Sequence, residues 1–223
     1  MGHDIKLTAS DHFQLGAYRA DPAGSPKAAV VVIQEIFGVN HHIRSICDRL
    51  AREGYVAVAP AIFDRIESNF QSGYSPDEVA VARKFVASPD WAAMLRDTQA
   101  AIDAVKDVGP VGIIGFCLGG SIAYAAATRL SGLKAAIGYY GGAIVRSADD
   151  KPKVPTQLHF GEKDAGISLT DVETIRAKRP EVEVYVYEGA QHGFNCDERA
   201  SYDKKSADIA WPRSMDFFAK FLR

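Results

Sequence analysis

The chain has 223 residues, with 26 Lys and Arg against 28 Asp and Glu and a formal net charge of −2. This length fits one α/β domain, so we expect a single domain over 1–223. The charge balance, without a basic block, disfavours nucleic acid as a partner. No run of about 20 apolar residues is present to cross a bilayer. Three cysteines without paired spacing and an N-terminus without an apolar signal segment favour the cytoplasm, and no zinc-binding spacing appears.

Apolar, β-rich runs alternate with helical patterns along the chain. Strands are predicted at 28–36, 55–63, 111–116, 134–140, 156–160 and 182–187. Helices are predicted at 41–53, 76–87, 90–106, 120–130, 169–178 and 202–222, the last kinked or restarted at Pro212. Because most strand runs are almost continuously apolar, they predict an α/β fold, with a mostly parallel central sheet and helices on both faces.

A glycine-rich turn joins one predicted strand to an alanine-rich predicted helix. Its sequence, GFCLGG at 115–120, has the form G-x-C-x-G, the nucleophile-elbow pattern with cysteine in place of serine. A nucleophile at such a strained corner needs very small neighbours two positions away, and Gly115 and Gly119 meet that need. The pattern predicts that Cys117 projects at a helix N-terminus, which favours a thiolate. The alternative is a small buried cysteine in a glycine-rich turn.

A nucleophilic cysteine needs a base, and the base needs an acid that orients it. Downstream of Cys117 stand His159, inside a predicted strand, and His192, in a glycine-flanked loop after the last strand. Because catalytic groups lie on loops at the carboxyl ends of strands, we favour His192. Glu162 and Asp164 both follow the penultimate strand. Asp164 is favoured because small residues follow it, and a solvated turn is the alternative.

The chain resembles the dienelactone hydrolase (carboxymethylenebutenolidase) family of the α/β-hydrolase fold over nearly its whole length. The resemblance rests on QEIFGVN at 34–40, GFCLGG at 115–120, GYYG at 138–141, GEKD at 161–164 and HGF at 192–194. It implies a triad of Cys117, Asp164 and His192. It also implies oxyanion-binding backbone N–H groups at Ile36 and Leu118, with no metal or organic cofactor.

The resemblance places a glutamate beside the cysteine, and Glu35 stands at that position. A nearby carboxylate competes with the histidine for the thiol proton. Our hypothesis is that Glu35 keeps Cys117 protonated until substrate enters. A glutamate that only pairs with a cation is the alternative.

Residues that bind substrate are predicted from the same resemblance. Arginines bind the substrate carboxylate in the family, and Arg65 matches one such position, whereas Cys196 stands where a second arginine is expected. Arg199 either replaces that arginine or is a solvated surface residue, which is the interpretation we favour. Phe37 and Tyr140 are expected to line the pocket, although core packing explains them almost as well.

These observations predict a hydrolase that cleaves small esters or enol-lactones through an acyl-enzyme on Cys117. A general carboxylesterase or thioesterase of the same fold is one alternative. Others are a non-catalytic ligand-binding member of the fold and a redox sensor in which Cys196 resolves oxidised Cys117. The expected partner is a small-molecule ester or lactone, and the expected assembly is a monomer or a homodimer.

Overall fold

Eight strands form one sheet in a computed structural model that describes residues 2–223. The strands are β1 (His3–Thr8), β2 (Gln14–Ala20), β3 (Ala28–Ile33), β4 (Tyr55–Pro60), β5 (Val111–Phe116), β6 (Leu133–Tyr139), β7 (Thr156–Gly161) and β8 (Glu183–Tyr187). Their order across the sheet is β1-β2-β4-β3-β5-β6-β7-β8. The pairs formed among β3 to β8 are parallel, whereas β2 is antiparallel to both β1 and β4. The mostly parallel sheet is confirmed.

The helices are α1 (His41–Arg52), α2 (Pro76–Phe85), α3 (Trp91–Asp103), α4 (Leu118–Arg129), α5 (Leu169–Lys178) and α6 (Lys204–Phe221), with 3-10 turns at Lys106–Val108 and Ile144–Ser147. The start of α2 follows directly from its sequence. Ser75 caps it and Glu78 reaches back to the capping residue, which together satisfy two of the free N–H groups in the first turn. Across residues 2–223, no helix combines the length and the apolarity that a membrane crossing requires.

The two faces of the sheet pack into two hydrophobic clusters, as strands with side chains on alternate faces require. Along β3, Val30 and Val32 join one cluster with side chains of α1, α5 and α6. Val31 and Ile33 join the other, with side chains of α3 and α4. Helices therefore cover both faces of the sheet, and the predicted α/β architecture is confirmed.

Several elements differ from the sequence-based expectations, among them β4, which ends at Pro60 rather than at 63, and α3, which ends at Asp103 rather than at 106. The β1–β2 hairpin was not predicted, because β1 is a largely exposed edge strand whose charged residues mask the strand pattern. Strand β3 ends at Ile33 rather than at 36, so residues 34–40 form a loop at its carboxyl end. Helix α6 runs through Pro212 as one element and does not restart there.

The junction between β5 and α4 has no room for a side chain at Gly115. A Cβ atom there would lie 1.9 Å from the carbonyl oxygen of Gly119, in the first turn of α4. We predict that Gly115→Ala lowers the free energy of unfolding by about 1–3 kcal/mol, because backbone must move to admit the methyl group. Urea unfolding followed by circular dichroism measures the change.

Gly24→Ala is the matched control, because a Cβ atom at Gly24 meets no atom within 4 Å. Equal unfolding midpoints for the two variants would contradict the close packing of β5 against α4.

Candidate active site

Cys117 lies at the corner between β5 and α4, in a backbone conformation that is rare for a residue with a side chain. Its φ is +56° and its ψ is −114°, and it is the N-terminal capping residue of α4. The corner is tight because the first turn of α4 packs against the end of β3. A Cβ atom at Gly119 would lie 2.3 Å from the carbonyl oxygen of Ile33. The cysteine side chain is held at the start of a helix and is half-buried.

Asp164 and His192 meet at the same edge of the sheet. Asp164 follows β7, and its buried carboxylate accepts a hydrogen bond from the Gly166 N–H at Oδ1 (2.8 Å). His192 follows β8, and its Nδ1 lies 2.7 Å from Asp164 Oδ2. The second carboxylate oxygen thus orients the imidazole, while the first is fixed by the loop backbone. His159, the rejected alternative, is fully buried within β7.

The surroundings of His192 favour its protonated form once Cys117 has lost its own proton. Burial of the ring acts to lower the pKa of His192. The negative charge of the Cys117 thiolate and hydrogen bonding with Asp164 and Cys117 outweigh burial and raise this pKa from 6.5 to about 10. Cys117 is therefore close enough to His192 to act on its charge, which brings together the three residues that the sequence singled out.

The backbone N–H groups of Leu118 and Ile36 are the pair predicted to bind an oxyanion. Leu118 is the first residue of α4, so its N–H has no partner within the helix. Ile33 pairs with Gly115 across β3 and β5, and the loop that contains Ile36 continues from there past the same edge. Ile36 and Leu118 are both half-buried.

Glu35 is buried and forms an ion pair with Arg199. Arg199 Nη1 donates to Glu35 Oε1 at 3.0 Å, and the side chain of Arg199 is only 20% exposed. The guanidinium also lies near the aromatic rings of Phe37 and Tyr74, at 5.6 and 5.9 Å from their centroids. The interpretation of Arg199 as a solvated surface residue is therefore wrong, because a buried carboxylate requires a cation beside it.

Arg65 lies in a different ion-pair network from the other predicted site residues. Its Nε and Nη2 donate to the two oxygens of Asp97, both at 2.8 Å, and Nη2 also donates to Asp11 at 2.9 Å. The guanidinium stacks on Phe13, 4.3 Å from the ring centroid. The side chain of Asp97 is 0% exposed, so Arg65 balances a buried charge in the fold. The role of Arg65 in binding a substrate carboxylate stays a prediction.

The two aromatic residues predicted for the pocket are deeply buried. Tyr140 has a φ of +39°, and its ring centroid lies 5.1 Å from that of His192. Within residues 2–223 its hydroxyl has no hydrogen-bond partner. Burial, followed by the charge of Glu35, raises the pKa of this hydroxyl well above 10. The ring of Phe37 packs edge-on against Tyr74, with 4.7 Å between centroids.

A cavity of about 470 Å³ opens beside Arg199, and sequence reasoning did not identify most of its wall. Its lining residues are Tyr74, Val79, Gln191, Arg199, Ala200 and Ser201. Gln191 precedes His192 in the chain, whereas none of the three triad residues lines the cavity itself. Only HGF at 192–194 marked this part of the sequence, because no motif distinguishes a residue such as Tyr74 from a core aromatic.

Comparisons with known proteins show which family the chain matches. The family model described as the Dienelactone hydrolase family matches residues 15–222. A Synechocystis protein named "Putative carboxymethylenebutenolidase" is 38% identical over 99% of each chain. The carboxymethylenebutenolidase of Pseudomonas putida is 30% identical over 96% of this chain and 95% of its own.

A solved structure shows the same fold. The crystal structure titled "Putative Dienelactone Hydrolase" from Klebsiella pneumoniae superposes with a TM-score of 0.86 at 32% identity, covering 99% of this chain and 100% of its own. The sheet described above is thus that of the α/β-hydrolase fold. With a family model and relatives that match nearly the whole chain, this protein is a member of the dienelactone hydrolase family and a hydrolase.

Proposed function

We propose that this protein hydrolyses small esters or enol-lactones through a Cys117–His192–Asp164 triad. The observation that carries the proposal is the 2.7 Å contact between His192 Nδ1 and Asp164 Oδ2, beside a cysteine on a strained strand-to-helix corner. An oriented base beside a nucleophile at a helix N-terminus is the arrangement that acyl transfer requires.

The first half of the reaction forms the acyl-enzyme. Cys117 Sγ attacks the carbonyl carbon of the substrate, and the thiol proton moves to His192. The carbonyl oxygen gains negative charge and accepts hydrogen bonds from the N–H groups of Ile36 and Leu118, each worth about 3–4 kcal/mol of barrier. As the tetrahedral intermediate collapses, the C–O bond of the ester breaks. His192 returns its proton to the leaving oxygen.

The second half releases the acid. A water molecule attacks the thioester carbonyl, and His192 accepts the proton of that water. The C–S bond breaks, the acyl group leaves as a carboxylic acid, and Cys117 regains its proton. Throughout, Asp164 holds His192 in the tautomer whose Nε2 is free to accept the proton. The Asp164 carboxylate also stabilises the imidazolium that forms.

The substrate class follows from the site and from the relatives. The cavity of about 470 Å³ beside Arg199 suits a small molecule, and relatives carry the name carboxymethylenebutenolidase. A dienelactone is therefore the first substrate to test. A general esterase or thioesterase is the alternative, and comparing kcat/KM for a dienelactone with that for p-nitrophenyl acetate separates them. We further propose a cytoplasmic protein of one domain that acts as a monomer or homodimer.

Glu35 has a place in the same proposal. Its charge opposes loss of the Cys117 proton, while Arg199 holds the carboxylate through Oε1. We propose that this pair keeps the resting nucleophile as a thiol. The resting cysteine is thereby protected from oxidation until a substrate occupies the site.

Replacing the nucleophile tests the reaction directly. Cys117→Ala should lower kcat/KM for the best ester or lactone by about 10⁴-fold or more, with little loss of stability because the side chain is small. Steady-state hydrolysis and thermal unfolding measure both quantities. Cys47→Ala is the control, since Cys47 is buried on α1 within the core. A Cys117→Ala variant with near-wild-type activity would rule out the mechanism.

Glu35→Gln tests the protective role. Removal of the carboxylate charge should make Cys117 react faster with iodoacetamide at pH 7, because the thiolate is no longer opposed by a neighbouring negative charge. Alkylation rates are measured by mass spectrometry of the Cys117 peptide, with the peptide of Cys47, a thiol that Glu35 does not perturb, as the internal reference. An unchanged rate at Cys117 would leave Glu35 as a simple partner of Arg199.

A further inference from the structure

Three side chains with metal-binding atoms converge beside the active site. They are Glu35 from the loop after β3, His42 from the first turn of α1 and Cys196 from the loop after β8. One ligand-type atom of each lies within 4.8 Å of those of the other two. Their exposed fractions are 1%, 1% and 0%, so the group is enclosed by protein. The mechanism proposed for hydrolysis assigns no step to His42 or to Cys196.

Two members of this cluster have polar atoms that nothing in residues 2–223 satisfies. Glu35 Oε2 has no hydrogen-bond partner, and neither does either ring nitrogen of His42. A buried polar atom left unpaired costs about 1–3 kcal/mol. Unpaired acceptors on two neighbouring side chains, next to a thiol, indicate a bound species among them that bonds to all three.

We propose that Glu35, His42 and Cys196 bind a divalent cation of the zinc class. Sulfur, imidazole nitrogen and carboxylate oxygen are the donors that zinc prefers, whereas magnesium and calcium take oxygen ligands. Zinc bond lengths place ligand atoms roughly 3.3–3.6 Å apart around a tetrahedral ion. The present separations of up to 4.8 Å therefore need side-chain shifts of about 1 Å. A water molecule would complete four-coordination.

Binding balances in atoms and charge. The S–H bond of Cys196 breaks as the S–metal bond forms, and the proton leaves to solvent. His42 contributes a nitrogen lone pair without losing a proton, and Glu35 contributes Oε2 while Oε1 keeps its bond to Arg199. The thiolate and the carboxylate together neutralise the dication.

Neighbouring side chains can support the ligands. The Tyr74 hydroxyl accepts a hydrogen bond from Cys196 Sγ at 3.3 Å, and it can turn to donate to the thiolate once the proton has left. Asp197 Oδ1 lies 3.7 Å from His42 Nδ1. A carboxylate behind a histidine ring is the usual partner that orients a metal-binding imidazole. Binding at this site does not depend on the proposed hydrolysis, although the two share Glu35.

Cobalt(II) is the probe, because thiolate coordination to this ion produces a charge-transfer absorption band. Titration of the full-length wild-type protein should give one equivalent of binding with that band, and added zinc should remove it. Cys196→Ser should lack the band. Cys117→Ser should keep it, because the nucleophile is not a ligand. His42→Gln should weaken cobalt binding by at least about tenfold.

Circular dichroism establishes that each variant is folded. If His42→Gln does not fold, Cys196→Ser, which changes a single atom, still decides whether the cation binds at this cluster. Absence of the band in the wild-type protein overturns the proposal. Loss of the band in Cys117→Ser with retention in Cys196→Ser also overturns it, because the cation would then lie at Cys117 and His192.

Discussion

The first turn of α4 packs directly on the carboxyl ends of β3 and β5, with no side chain between the backbones. Added Cβ atoms at Gly115 and Gly119 would lie 1.9 and 2.3 Å from backbone oxygens. This close approach determines the rest of the site. Cys117 must turn through a φ of +56° to leave β5 and enter α4, and the N–H of Leu118 is then left without a partner inside the helix. The loop after β3, which includes Glu35 and Ile36, is brought to the same place.

Three buried carboxylates each have a basic side chain as partner, two of them at the site and one in a separate network. Asp164 pairs with His192, Glu35 with Arg199 and Asp97 with Arg65. A buried charge without a partner is strongly unfavourable, so these pairs fix which side chains remain available for chemistry. Arg65 is committed to Asp97 within the fold. Arg199 instead borders the cavity of about 470 Å³, and its pair with Glu35 links this cavity to the buried cluster of Glu35, His42 and Cys196.

Local sequence patterns predicted the parts of this site that depend on backbone geometry. The glycines around Cys117 specify the corner because nothing larger fits, and apolar strand runs place His192 and Asp164 after β8 and β7. The edge strand β1 is not predicted because exposed charged residues hide the alternation of apolar and polar residues along it. Pairings between distant segments, such as Arg199 with Glu35, leave no spacing signal, and that is why Arg199 was misassigned to the solvated surface. The same reasoning explains why spacing rules predicted no zinc site, since Glu35, His42 and Cys196 come from three separate segments.

The central claim is that Cys117 and His192 are coupled charges at one edge of the sheet. Titration of the His192 imidazole by carbon-13 NMR tests it most directly in Glu35→Gln, where the Cys117 thiolate is no longer opposed, with the same variant carrying Cys117→Ala as the reference. We predict that His192 of Glu35→Gln keeps its proton well above pH 6.5, toward the value of about 10, and that removal of the sulfur lowers its pKa. An imidazole that titrates near 6.5 in both proteins would contradict the coupling and, with it, the assignment of Cys117 as the nucleophile.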